Sequence, residues 1–327
     1  MLKIEDFSLT LKGSDNRALP VLEQISIELA NGSCLGVAGE SGSGKSVLAM
    51  SIAGLIPHRS IIKKTGSIHF NGENLAEFSE SQLNKIRGKR IGFVFQEPMT
   101  AMNPLMTLFD QVSEVIYAHH KGIGKTEVYA QVRNALVAAG FSDPEKFYDS
   151  YPHQLSGGMR QRAMIAIGLA LKPDLIIADE PTTAIDAALQ VQLLKELRQN
   201  LSDGRRSMIF ISHDLGVLRA ISDQLAILYA GNLVEIGTAS ELLQKPFHPY
   251  TRDLIGALPR LVPEKILPHP IAGNLPMPDR KAVGCVYSDR CNRCRPECLE
   301  NRPKLRQAGV NRLVSCFFPV NQEQADG

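Results

Sequence analysis

An α/β fold, with a largely parallel sheet flanked by helices and a small antiparallel β unit beside it, is what this chain of 327 residues predicts. Two patterns carry the prediction. Short apolar runs at residues 34–38, 91–95, 175–178 and 208–211 alternate with longer helical stretches, the arrangement that buries a parallel sheet between helices. Polar and apolar residues alternate at 2–11 and again at 24–29, around the polar loop 13–17, as in antiparallel strands covered on one face. Composition agrees, since 44% hydrophobic and 21% charged residues can bury a sizeable core and exclude disorder as the main state. The length fits one large or two modest domains.

Taken in order, the first strand begins at the N-terminus, where Glu5 and Asp6 interrupt the apolar stretch that a secretory leader needs. A cytoplasmic protein is expected. The run 34–38 enters a glycine-rich turn, and a helical pattern follows over 46–55 until Pro57 stops it. No segment reaches the ~18 consecutive apolar residues of a membrane span; around 47–57, Ser51 and Gly54 break the longest candidate. From Pro246 onward prolines thicken and periodicity fades, which places a boundary near residue 245. With 36 basic and 34 acidic side chains the net charge is +2, which excludes polyanion binding driven by bulk charge. The basic cluster Lys85, Arg87, Lys89 and Arg90 is expected as a solvated charged face.

Three motifs carry chemistry. Gly39-Glu40-Ser41-Gly42-Ser43-Gly44-Lys45-Ser46 matches the phosphate loop G-x-x-x-x-G-K-S, here between a strand and a helix, the context it requires. Its glycines let backbone N–H groups wrap an anion, Lys45 neutralises β and γ phosphates, and the Ser46 hydroxyl is suited to Mg²⁺. At Leu175-Ile176-Ile177-Ala178-Asp179-Glu180 an apolar strand delivers two acids at its carboxyl end, where parallel sheets face their ligands. Asp179 is expected in the Mg²⁺ shell, and Glu180 is expected to orient or deprotonate an attacking water. Third, Leu155-Ser156-Gly157-Gly158-Met159-Arg160-Gln161-Arg162 precedes a helical pattern at 163–171, so Ser156, Gly157 and Gly158 offer a second anion cradle at a helix N-terminus.

LSGGMRQR between a phosphate loop and a Walker B strand resembles the signature of ATP-binding cassette (ABC) ATPases, a branch of the P-loop NTPases. The resemblance covers roughly residues 1–245. It implies ATP and Mg²⁺ as ligands, and a second cassette whose bound ATP meets Ser156, Gly157 and Gly158. It also assigns Gln96 as the Q-loop residue that senses Mg²⁺ and water, Ala184-Ile185-Asp186 as the D-loop, and His213 as the switch histidine on the γ phosphate. A helical subdomain at about 97–170 is implied as the receiver of the membrane subunits. One departure concerns the base: residues 9–23 lack the aromatic that stacks on adenine in many members, leaving Leu11, Leu19 or Arg17 as substitutes.

QEPMTAMNP, YPHQLSGGM, ADEPTTAID and the tail segment KPFHPYTRDLIGALP resemble the dipeptide, oligopeptide and nickel importer branch of that family. This implies an extension at 246–327 and the function of an ATPase subunit for di- or oligopeptide uptake. Implied partners are a paralogous second ATPase, two transmembrane permease subunits and a periplasmic or lipid-anchored substrate-binding protein, with no nucleic acid. The chain would sit peripherally on the cytoplasmic side of a bacterial inner membrane. Nickel or a metal-chelate is the alternative cargo, and an ABC ATPase acting on nucleic acid or ribosomes is the alternative outside transport. The tail also reads Cys285-x5-Cys291-x6-Cys298-x17-Cys316, with Cys294 inside the second interval. Four thiolates suit a 4Fe-4S cluster or a tetrahedral zinc, and unmetallated thiols are the third possibility. Resemblance favours iron and sulfur, with Cys294 as an alternative ligand. Cys34 is expected to be a buried thiol.

Overall fold

The computed structural model describes residues 1–182, 187–201, 204–257, 271–276 and 283–321. Two sheets organise it. The smaller contains β1 (Leu2–Lys12), β2 (Ala18–Leu29), β4 (Ile61–Phe70) and β5 (Glu73–Asn74) in the order β2-β1-β4-β5, with antiparallel pairing throughout. Alternation in β1 buries Leu2 and Ile4, then Phe7 and Leu9, the register being shifted by one residue at an irregularity around Asp6 (φ 46°).

The larger sheet is built on β3 (Cys34–Ala38), β6 (Ile91–Val94), β7 (Leu175–Asp179), β8 (Ser207–Ile211), β9 (Gln224–Tyr229) and β10 (Asn232–Thr238). A hairpin from the tail, β11 (Arg306–Gly309) and β12 (Arg312–Val314), completes the order β11-β12-β10-β9-β3-β8-β7-β6. The five strands from β9 to β6 are parallel, and their largely apolar sequences follow from burial on both faces. The expected α/β class and both sets of strands are therefore present, while β4, β9 and β10 lie in stretches that carried no strand expectation.

Helix Lys45–Ile52 packs against β2, β7 and β8, so the turn before it stands at the carboxyl end of the parallel strands. Helices Leu108–His119, Lys125–Ala138 and Gly157–Leu169 pack on one another and bury Val112, Ile116, Val132, Leu136 and Ile165. The tail differs from expectation. It has order of its own in helix Pro249–Gly256 and the β11–β12 hairpin, and Tyr250, Tyr287, Cys285 and Cys298 join the main apolar core.

The basic cluster also differs from a simple solvated face. Arg87 binds Glu80 and the carbonyl oxygens of Ala53 and Gly54. Arg90 binds Glu73 and Asp174 while its guanidinium lies 4.9 Å from the Phe70 ring centroid. Two of the four charges are thus tied into the body of the protein. No helix among the described residues is long and apolar enough to cross a membrane.

Candidate functional site

The phosphate loop leaves β3, whose five residues are all buried, and turns through left-handed backbone at Gly42 (φ 81°) and Gly44 (φ 100°). Gly44 caps helix Lys45–Ile52 and has no side chain to occupy the first-turn N–H groups, which leaves them for an anion. A Cβ at Gly39 would collide with the Leu228 carbonyl, so the loop can pass β9 only with glycine there. Lys45 is 6% exposed and its ammonium donates to the carbonyl oxygens of Gly39 (2.8 Å) and Glu40 (2.9 Å). Burial pulls its pKa down, opposed by the carboxylates of Glu180, Asp179 and Glu40.

Two buried oxygens in the site have no protein partner: Ser43 Oγ and Asp179 Oδ1. Asp179 ends β7, is 5% exposed, and has its pKa raised by burial although the Ser46 hydroxyl hydrogen-bonds to it. A buried carboxylate oxygen left open next to a hydroxyl suits an oxygen-seeking divalent cation. The donor set Ser46 and Asp179 therefore fits Mg²⁺, with Gln96 nearby through Glu180.

Glu180 follows with φ 47°, and its N–H donates to Ile211 O (3.0 Å), which turns the side chain out of the strand. Its Oε2 accepts from Gln96 Nε2 (3.1 Å) and lies 3.2 Å from His213 Nδ1. Three residues expected to act on water and the γ phosphate, from three different strand ends, thus meet at one carboxylate oxygen. Glu180 is largely covered, while two-thirds of the His213 side chain is exposed. A covered carboxylate held by a neutral amide and an imidazole is the arrangement a water-activating group needs.

Ser156 caps helix Gly157–Leu169 by accepting from Met159 N–H (3.3 Å). Ser156 and Gly157 are exposed, and no hydrogen bond among the described residues joins them or Gly158 to the phosphate loop or Glu180. The cradle faces outward, available to another molecule. Asp186 lies outside the described residues. Leu11 and Leu19 are half-buried and face each other across the β1–β2 pair, and Arg17 forms an exposed ion pair with Asp15 (2.9 Å).

In the tail, Cys285, Cys291, Cys298 and Cys316 line one small cavity, while Cys294 stands partly exposed outside it. All six cysteines are free thiols. Burial pushes Cys285 up to about 11 and Cys316 up to about 12. Among the described residues no group of three or more His, Cys, Asp or Glu side chains is gathered closely enough to hold a metal ion. The expected four-thiolate site is a shared cavity here.

Sequence reasoning missed three residues at the phosphate loop. Tyr250 OH accepts from Glu40 N–H (2.8 Å), Arg290 binds the Glu40 carboxylate (3.0 Å), and Tyr229 OH accepts from Arg290 (3.3 Å). Tyr250 lies in the tail segment KPFHPYTRDLIGALP, but no motif or periodicity marked Tyr229 or Arg290.

Comparison with known proteins gives consistent matches. Residues 22–183 match the family described as ABC transporter, and 234–298 match the oligopeptide/dipeptide transporter C-terminal region. The oligopeptide transport ATP-binding protein AppD of Bacillus subtilis (strain 168) is 38% identical over 92% of this chain and 91% of its own. The oligopeptide transport ATP-binding protein OppD of Salmonella typhimurium is 38% identical over 98% and 95%, and the dipeptide transport ATP-binding protein DppD of Bacillus subtilis is 41% identical over 90% and 88%. Among solved structures, the dimeric ATP-binding cassette MJ0796 in a post-hydrolysis state bound to ADP and Pi aligns with a TM-score of 0.65 at 27% identity, over 73% of this chain and 99% of that one.

Proposed function

The chain belongs to the ABC transporter family of ATP-binding proteins, and from that premise we propose that it is the ATPase subunit that powers import of di- or oligopeptides. The observation that carries the catalytic reading is the meeting of Gln96 and His213 at Glu180 Oε2, one residue beyond Asp179 and within Coulombic reach of Lys45. In this reading the loop of Gly39, Glu40, Ser41, Gly42, Ser43 and Gly44 cradles the phosphates with its backbone N–H groups, that of Glu40 excepted because Tyr250 OH takes it. Lys45 leaves its carbonyl partners for the β and γ phosphates. Ser46 and Asp179, with Gln96, would hold Mg²⁺, which when bound would neutralise charge on the transferring phosphate. Glu180 orients the attacking water and accepts its proton, while His213 steadies the γ phosphate.

Ser156, Gly157, Gly158 and Asp186 are assigned to ATP held by a second cassette, a paralogue in this reading. The outward-facing helix cap at Ser156 supports that assignment. We assign the cassette to 1–245, its helical subdomain to about 97–170 and the extension to 246–327. Partners are two transmembrane permease subunits and a substrate-binding protein, with the chain peripheral on the cytoplasmic face of the inner membrane. Peptide cargo is supported by the relatives named for oligopeptide, dipeptide and D,D-dipeptide transport.

Glu180→Gln tests the core of this. The variant is expected to bind ATP as the wild type does and to lose at least about a hundredfold in turnover, the scale of a lost general base. Wild-type hydrolysis in that variant would remove Glu180 from its role.

The resemblance carries a second assignment, a 4Fe-4S cluster on Cys285, Cys291, Cys298 and Cys316 that would tie the tail together, with zinc as the competing metal and Cys294 as the alternative ligand; these four share one cavity, although no three of them are gathered to hold a metal ion. Anaerobically purified protein is expected to show broad visible absorbance that Cys285→Ser or Cys298→Ser abolishes. A colourless preparation containing zinc overturns iron and sulfur.

A further inference from the structure

An acid at the second position of a phosphate loop has the wrong sign for its site. Glu40 lies in the loop assigned above to the triphosphate, and its carboxylate is close enough to act on the Lys45 ammonium. Left alone, it would repel the polyanion and compete for the cation that should meet it. Arg290 offsets this charge from a position 250 residues further along the chain. Its Nη1 donates to both Glu40 oxygens, at 3.1 and 3.0 Å, and to Tyr229 OH at 3.3 Å.

The arginine is itself tightly held. Nε donates to Ala272 O (2.7 Å), Nη2 donates to Ile271 O (3.3 Å), and only 5% of the side chain is exposed. Around it, the rings of Tyr229, Tyr250 and Tyr287 pack at centroid distances of 4.6 to 5.3 Å, and Tyr250 OH takes the Glu40 N–H. Tyr287 OH in turn donates to Asp253 (2.7 Å). Side chain and backbone of Glu40 are therefore both fastened to residues of the tail: Arg290 takes the carboxylate and Tyr250 OH takes the N–H.

We propose that Arg290 is a positioning residue for the phosphate loop: by neutralising Glu40 and fixing its direction, the tail sets the affinity of the site for ATP. This rests on the assignment of residues 39–46 to the triphosphate. It adds that nucleotide affinity is a property of the cassette and its extension together.

The test compares the full-length wild type with Arg290→Ala, Glu40→Gln and the double variant, using Mg²⁺ and a fluorescent N-methylanthraniloyl ATP as the probe. Arg290→Ala is expected to weaken binding about tenfold, within the range of ordinary site-to-site coupling. In the assembled transporter, the KM for ATP is expected to rise by the same factor while kcat changes less than twofold. Adding Glu40→Gln removes the uncompensated charge and should return affinity to within about twofold of Glu40→Gln alone. A purely structural arginine would leave the double variant as weak as Arg290→Ala, and that result overturns the proposal. So does wild-type affinity in Arg290→Ala. Should that variant not fold by thermal melting, Arg290→Gln with and without Glu40→Gln gives the same comparison. Failure of the wild type to bind the probe would instead overturn the assignment of the loop, which separates the two ideas.

Discussion

Cys34 stands at the start of β3 with no exposed surface, and its N–H donates to Asp223 Oδ2 (2.7 Å), which in turn is held by Arg198 (2.6 Å to Oδ1). Burial, reinforced by the Asp223 charge, pushes the thiol from 9.0 up to about 12. Since only thiolate attacks an alkylating agent, native Cys34 should react at least about a hundredfold more slowly than Cys34 in unfolded chain. Mass-resolved alkylation at pH 8, with and without urea, checks this. The sequence placed Cys34 correctly because an apolar run before a glycine turn leaves a small thiol nowhere else to go. It also named Gln96, Glu180 and His213, but their separations of 84 and 33 residues say nothing of a shared oxygen. Arg290 was invisible for the same reason, since it has neither motif nor periodicity and its partner is the distant Glu40.

Among the elements, the β11–β12 hairpin is the one that composition concealed. Its strands are four and three residues long, and Asn311 supplies the left-handed turn position (φ 52°). What fixes it is chemistry across the β10–β12 pair. Glu235 is fully buried and accepts from Arg312 (2.5 and 3.1 Å), Phe247 N–H (2.8 Å) and His248 N–H (2.9 Å), while the Arg312 guanidinium lies 3.8 Å from the Phe247 ring centroid. Removing one partner of such a pair strands the other charge in the interior. Arg312→Ala is expected to cost about 3 kcal/mol, at the lower end for a buried pair because two backbone donors remain. Urea unfolding of the full chain should show most of that loss restored by Glu235→Gln in the same background. Equal destabilisation of single and double variants would assign the loss to packing on Phe247. The longer elements were legible: β1 from its alternation, β3, β7 and β8 from their apolar runs, and Gly157–Leu169 from the Ser-Gly-Gly start.

At the scale of the molecule, the α/β class followed from strands and helices that alternate along the chain. The order of the strands did not, because pairing is decided by contacts between distant segments. β3 lies between β8 and β9, with Leu35 registered on Ile209 on one side and Gln224 on the other. Nor could the sequence show that the tail would add two strands beyond β10 and reach the phosphate loop, since its apolar residues are too few to announce a core of their own.

The central place of β3 also governs when the molecule becomes competent during synthesis. Its residues leave the ribosome well before those of β8 and β9, the two strands that flank it, emerge. Until then the strand has no parallel partners and the glycine loop has nothing to hold its shape. Such late closure makes for slow folding and a long exposure of apolar strands. Arg290 comes later still. A nucleotide therefore meets a formed loop only once β8, β9 and Arg290 have all been made, and by binding the folded form alone it draws the population toward that form.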